Sequence, residues 1–213
     1  MLRLLLLRRS YSVLFFGSDD FAVPFLDQIV RHPGVTRVRA VATPDARGGR
    51  GQRELLVSPV KAYALAHNVD LSLAPPKDHA DASALVVAPE EPFDIGVVVS
   101  FPYFLTPQTL SACRQGVINF HPSLLPLYRG AAPIQHTVLR GDTQAGMSII
   151  DICVDAWDAG NILAQRAFAI DNRTITYDAL AARFMAEGPP LVLDVLDNFG
   201  RYWVRRALCS CPV

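Results

Sequence analysis

The sequence predicts an α/β fold, a mostly parallel sheet with helices on both faces, and three observations carry that prediction. Short apolar runs alternate with amphipathic stretches from Val13 onward, the pattern of strands separated by covering helices. The run Ile95-Gly96-Val97-Val98-Val99 is apolar at every position, as a strand buried on both faces must be. Finally, 213 residues at 51% hydrophobic content supply a sizeable core, with no repeat and no long linker to divide it. One domain over residues 13–200 is therefore expected.

The elements follow in order. Val13-Leu14-Phe15-Phe16 reads as a buried strand, and Gly17-Ser18-Asp19-Asp20 as a tight turn and helix N-cap. The helix then runs through Phe21, Phe25, Ile29 and Val30. Residues 37–43 give a second strand, followed by a Gly/Arg loop and a helix at 58–67 that carries Pro59 in its first turn. Strands are expected at 94–100, 116–120, 146–154 and 161–170, the last two joined by a loop at 155–160. A helix follows Pro133, and a closing helical region at 174–199 is expected to break at Gly188-Pro189-Pro190.

Composition excludes several functions. Lys+Arg and Asp+Glu each number 20, so any nucleic-acid-binding surface has to be local. Cys113, Cys153, Cys209 and Cys211 form no zinc-spaced cluster and point to a reducing compartment. No stretch is apolar enough to span a membrane. Residues 1–12 carry Arg3, Arg8 and Arg9, a leucine run and no acid, the bias of a mitochondrial targeting segment leading to the matrix, the other reading being an irregular N-terminal tail.

A parallel sheet binds its ligand at the carboxyl ends of its strands, so the loops after Phe16, Thr43, Ser100, Phe120 and Val154 are expected to share one edge. Neither a dinucleotide nor a P-loop glycine motif is present. Asn119 and His121 lie two apart on an extended segment, so an amide donor and an imidazole leave the same face. Asp158, at the end of a later strand, can reach back to the imidazole, orient it and favour its cationic form. Without further context, this set is open between an acid/base or oxyanion-stabilising site and a hydrogen-bonded structural histidine. Trp157 is likewise open between lining a pocket and packing its loop.

The segment Asn119-x-His121-x-Ser123-Leu124-Leu125-Pro126, with Asp158-x-Gly160 downstream, resembles the folate-dependent formyltransferase superfamily. Tyr128-Arg129-Gly130-Ala131-Ala132-Pro133-Ile134 is similar to its methionyl-tRNA formyltransferase branch in particular. Val13 to Phe21, the loop Arg47-Gly48-Gly49-Arg50-Gly51-Gln52 and Gly141-Asp142 agree, so the resemblance runs over about residues 13–198.

The resemblance implies a Rossmann-like formyltransferase fold and transfer of formyl from 10-formyltetrahydrofolate to the α-amine of methionine on initiator methionyl-tRNA, for translation initiation. Asn119, His121 and Asp158 would be catalytic, with no metal and no redox cofactor. Ser100, Phe101, Ser123, Leu124, Leu125 and Pro126 would line the folate. Arg47, Arg50 and Arg53, set among glycines, would contact phosphates of the tRNA acceptor arm, with Arg129 adding to their field; by composition alone that loop is simply solvated surface. Two positions depart from the family's usual pattern: Pro102 in the pterin-side loop, and Asn161 after the Asp-x-Gly.

The family usually continues into a smaller β-barrel domain, whereas this sequence ends in a basic tail at 201–213 that matches nothing in the pattern. Catalysis by a monomer with weakened tRNA capture is expected. Three rivals share the fold. Glycinamide ribonucleotide formyltransferase is disfavoured by the acids at 19 and 20, where a phosphate would sit. Formyltetrahydrofolate hydrolase and a sugar-nucleotide N-formyltransferase differ in their acceptor. A non-catalytic folate- or RNA-binding remnant is the reading from another class.

Overall fold

The computed structural model of the chain describes residues 10–48, 51, 54–75, 91–152, 157–200 and 202. Its centre is a seven-stranded sheet in the order β5-β2-β1-β6-β7-β8-β9. The strands are β1 (Tyr11–Gly17), β2 (Val35–Ala42), β5 (Asp70–Leu73), β6 (Ile95–Val99), β7 (Val117–His121), β8 (Gln144–Asp151) and β9 (Ile162–Ala169). The first five pair in parallel and the last two antiparallel. Every residue of β1 and β6 is buried, which is why β6 is apolar throughout and β1 carries the unbroken apolar run Val13-Leu14-Phe15-Phe16 rather than alternating.

Alternation sorts these side chains into two cores. Val13, Phe15, Val97, Val99, Ile118 and Phe120 face a layer that contains α1 (Val23–Arg31), α2 (Pro59–Ala66), α4 (Pro133–Leu139) and α5 (Tyr177–Asp197). Leu14, Phe16, Val98 and Val117 face the other side, covered by Phe101, Tyr103, Leu105 and Cys113 around the short α3 (Pro107–Leu110). The second cover is thinner, and it leaves room for a crevice.

Four local expectations change. The first helix begins at Val23 with Ala22 as its cap and no side-chain cap; Asp19 instead accepts the Ala22 N–H at 3.2 Å in the preceding turn. The Gly/Arg loop contains a hairpin of β3 (Ala46–Gly48) and β4 (Glu54–Leu56), whose three residue pairs are antiparallel. The break expected at Gly188-Pro189-Pro190 does not occur, because α5 runs unbroken through both prolines. A proline inside a helix costs about 3 kcal/mol. Burying one large apolar side chain returns about 1.5–3 kcal/mol, and this helix buries Leu180, Phe184, Leu191, Val192, Val195 and Leu196 on one stripe. Gly188 permits the close approach: a Cβ there would lie 2.5 Å from Phe25 and 2.8 Å from Phe120.

The fourth change concerns the shared edge. Because β8 runs antiparallel to β7, Asp151 pairs with Ile118 near the start of β7, so the chain leaves β8 at the end opposite the parallel strands' carboxyl ends. Residues 157–160 lie back over β7 all the same, since Asp158 bonds to Asn119. Of the segment 1–12 expected to be a targeting sequence, residues 1–9 lie outside the described residues, as do Arg50, Arg53 and the tail apart from Tyr202. Tyr11 and Ser12, by contrast, belong to buried β1, so the sheet begins two residues before the expected domain start at 13.

Candidate active site

Strand order reverses between β1 and β6, and the crevice opens at that point. Ser18 donates its hydroxyl to the Ser100 carbonyl at 2.6 Å, Ser100 donates its own to the Asp19 carboxylate, and Ser58 donates to the Ser18 carbonyl at 2.7 Å. These bonds lock the ends of the two central strands together. Ser100 holds a left-handed backbone, φ +48°, that turns the chain sharply into Phe101.

The floor is a row across three strands. Asn119 of β7 is in register with Val98 of β6 and Ile150 of β8, and all three line a crevice of about 700 Å³. His121, two residues further on, faces the same side. The walls come from residues 100–105, 130–135 and 157–160, and they are largely apolar and aromatic with a few convergent polar groups, as small-molecule sites are. At the rim Phe104 and Trp157 meet edge to face, 5.1 Å between ring centres, so Trp157 lines the crevice and packs against the 100–105 segment.

Asp158 ties the polar groups together. Its Oδ1 accepts from Asn119 Nδ2 at 2.9 Å and its Oδ2 from the Gly130 N–H at 2.9 Å, with His121 Nδ1 3.5 Å from Oδ2. The His121 and Asp158 side chains are 6% and 8% exposed, so this contact is sheltered from water and screening. Asp158 itself sits at φ +49°, a left-handed conformation that costs a residue with a Cβ about 1–2 kcal/mol. Its three contacts hold it there. The Asn119 amide carries two N–H groups, and one of them goes to Asp158.

Gly160 follows from the same packing. A Cβ at this position would fall 1.7 Å from the Asp151 carbonyl oxygen, so glycine alone fits. Asp151, buried, accepts from the Asn161 backbone N–H at 2.6 Å and from its side-chain amide at 3.1 Å. The side-chain amide of Asn161 thus adds a second donor to this carboxylate, which an ionised aspartate side chain at that position could not.

The structure gathers Asn119, His121, Asp158, Ser100 and Phe101 into one crevice, with Pro102 also on its wall. Ser123, Leu124, Leu125 and Pro126 are not among its lining residues. They form a supporting turn beside it, with a cis Leu125–Pro126 bond. Ser123 donates to the Leu127 carbonyl at 2.6 Å, Ser148 donates to the Ser123 carbonyl at 2.7 Å, and Gln165 donates to the Leu125 carbonyl at 2.9 Å. Arg47, on β3, and Arg129 are exposed, as a phosphate contact requires.

Sequence reasoning missed two backbone contributors, the Gly130 N–H on Asp158 and the Tyr128 carbonyl, which accepts from His121 Nε2 at 2.8 Å. Backbone groups carry no residue-type signal. The tyrosine phenol donates to Asp142 at 2.5 Å, and that bond, with burial and the carboxylate's charge, pushes its pKa up. Among the described residues no cluster of three His, Cys, Asp or Glu is placed to hold a metal, and no helix is long and apolar enough to cross a membrane.

Comparison with known proteins agrees with this geometry. Residues 11–196 match the formyl transferase family. The chain is 37% identical over 186 residues to the methionyl-tRNA formyltransferase of Cyanothece sp., covering 87% of this chain and 54% of that protein. It is 38% identical over 188 residues to that of Anaplasma marginale, covering 88% and 60%. It therefore spans little more than half the length of these relatives. Among solved structures, phosphoribosylglycinamide formyltransferase from Bacillus halodurans superposes with a TM-score of 0.69 at 19% identity, covering 88% of this chain and 94% of that one. An N-formyltransferase from Helicobacter canadensis, in complex with folinic acid and dTDP-3-aminofucose, superposes with a TM-score of 0.64 at 20% identity, covering 86% and 62%. At those identities the likeness establishes the fold, and the family match over 11–196 establishes the rest: the chain belongs to the formyl transferase family.

Proposed function

We propose that this chain carries the catalytic domain of a methionyl-tRNA formyltransferase, which moves the formyl group of 10-formyltetrahydrofolate to the α-amine of methionine on initiator methionyl-tRNA. The observation that carries the reading is the sheltered Asn119, His121 and Asp158 set on the crevice floor. What selects this acceptor among formyl acceptors is the name of the curated relatives.

The site suits the chemistry. The pterin of the folate has a flat apolar surface, and Phe101, Tyr103, Phe104 and Trp157 offer an aromatic wall of matching character. The amine lone pair adds to the formyl carbon, whose oxygen becomes negative and accepts from the second Asn119 N–H. His121, beside Asp158, relays the proton released by the amine towards N10 as the bond from carbon to N10 breaks. Atoms balance with no further reactant: the products are formylmethionyl-tRNA and tetrahydrofolate.

Arg47, Arg50, Arg53 and Arg129 contact acceptor-arm phosphates in this reading, and the 123–126 turn backs the folate subsite. The reading also places the protein in the mitochondrial matrix as a monomer; the arginine-rich, acid-free segment at 1–12 supports the location, and import into isolated mitochondria tests it.

The test mixes the chain with 10-formyltetrahydrofolate and methionyl-tRNA at low salt and separates formylmethionyl-tRNA from free formate. Formylated tRNA is expected, with roughly a hundredfold or greater loss of rate in Asn119→Ala and His121→Ala. Formate alone would move the assignment to a hydrolase, and bound folate without either product would identify a non-catalytic binding protein.

A further inference from the structure

The placement of Tyr128 has a consequence for the proton chemistry of His121. A carbonyl only accepts, so the Tyr128 carbonyl, 2.8 Å from Nε2, requires that nitrogen to carry hydrogen. In the neutral ring Nδ1 is then bare, and Nδ1 is the nitrogen 3.5 Å from Asp158 Oδ2. Tyr128, whose carbonyl makes this contact, adopts φ +56°, a conformation that crowds the Cβ of any residue but glycine.

Three contacts hold that conformation. The phenol bonds to Asp142 at 2.5 Å, the ring stacks on His136 with an interplanar angle of 16°, and the Arg140 guanidinium lies 5.5 Å from its centre. Asp142 is itself fixed, its backbone N–H bonded to the Thr137 carbonyl at 3.3 Å in the turn after α4. Two residues past Tyr128, Gly130 donates to Asp158, so one short turn sets both the imidazole and its carboxylate partner.

We propose that Tyr128 and Asp142 form a latch that positions His121, pinning the proton on Nε2 so that Nδ1 is the nitrogen that exchanges protons beside Asp158. Tyr128 is a positioning residue, acting through its carbonyl without touching substrate. The kinetic part of this inference rests on the formyl transfer proposed above, whereas the tautomer does not.

The test uses the full chain with 15N-labelled histidine and the variants Tyr128→Phe, Asp142→Ala and Asp142→Asn. In the parent, His121 Nε2 is expected to carry hydrogen, with slow exchange of that proton. Tyr128→Phe and Asp142→Ala should give mixed tautomers with faster exchange and lower kcat by roughly tenfold, the worth of one hydrogen bond to a charged group, at unchanged KM for the folate. Asp142→Asn, which keeps an acceptor oxygen, should restore most of both, and the double variant Tyr128→Phe/Asp142→Ala should be no worse than either single one. A ring that keeps the parent tautomer in Tyr128→Phe overturns the proposal, even if thermal stability falls. Should the parent transfer no formyl group, the functional reading fails while the NMR arm still decides the latch.

Discussion

Asp158 and Gly160 work as a unit at the scale of single residues. The carboxylate reaches Asn119, Gly130 and His121 from a left-handed backbone, and the glycine two residues later allows the chain to pass against the Asp151 carbonyl. Gly160→Ala places a methyl group 1.7 Å from that oxygen, and because the obstacle is backbone, no side chain can move to relieve it. We expect a loss of at least about 3 kcal/mol of stability or displacement of the 157–160 segment. Thermal melting, read beside the loss of the Asp158–Asn119 contact in a structure of the variant, checks this. A variant that melts with the parent and keeps that contact would refute the packing argument. Cys113 offers a contrast: burial pushes its thiol up to about 12, which makes it an inert core residue rather than a nucleophile.

Between elements, a polar tie joins the starts of β1 and β6. The Asp94 carboxylate accepts from the Ser12 N–H at 2.7 Å and its hydroxyl at 2.8 Å, with Arg114 at 3.4 Å. Burial opposes ionisation of Asp94, but the Ser12 bonds and the Arg114 charge outweigh it and hold the carboxyl below its usual value. A depressed folded-state value means that the stabilisation is present above the unfolded value of about 4 and is lost as pH falls through the folded value. Asp94→Asn should therefore lower stability by about 1 kcal/mol at neutral pH, with the gap from the parent closing as pH drops below about 4. Paired melts across that range test it; a gap that stays constant with pH would mean that ionisation of Asp94 contributes nothing.

Over the whole molecule, 20 basic and 20 acidic side chains cancel, so any attraction to RNA comes from local groups rather than from a general field. Arg129 and Arg47 are exposed. If each neutralises one phosphate, replacing either with alanine should weaken methionyl-tRNA binding and make the slope of log affinity against log salt shallower by roughly one. A salt titration of binding for the parent and both variants measures this. Identical slopes would remove these arginines from any RNA-binding surface.

What was legible in the sequence was whatever depends on residue type along the chain. Apolar runs such as 95–99 announced a doubly covered parallel sheet, and the two-residue spacing of Asn119 and His121 put their side chains on one face, because strand periodicity is local physics. The motif residues were recognisable for the same reason. Tertiary structure alone decided three things. It kept α5 continuous through Pro189 and Pro190, since burial of its apolar stripe offsets the lost hydrogen bonds. It turned β8 antiparallel, so that Asp158 arrives at Asn119 over the sheet face. It also assigned the Tyr128 carbonyl to His121 and the Gly130 N–H to Asp158. These are backbone groups, identical in every residue, and only the packed fold gives them direction.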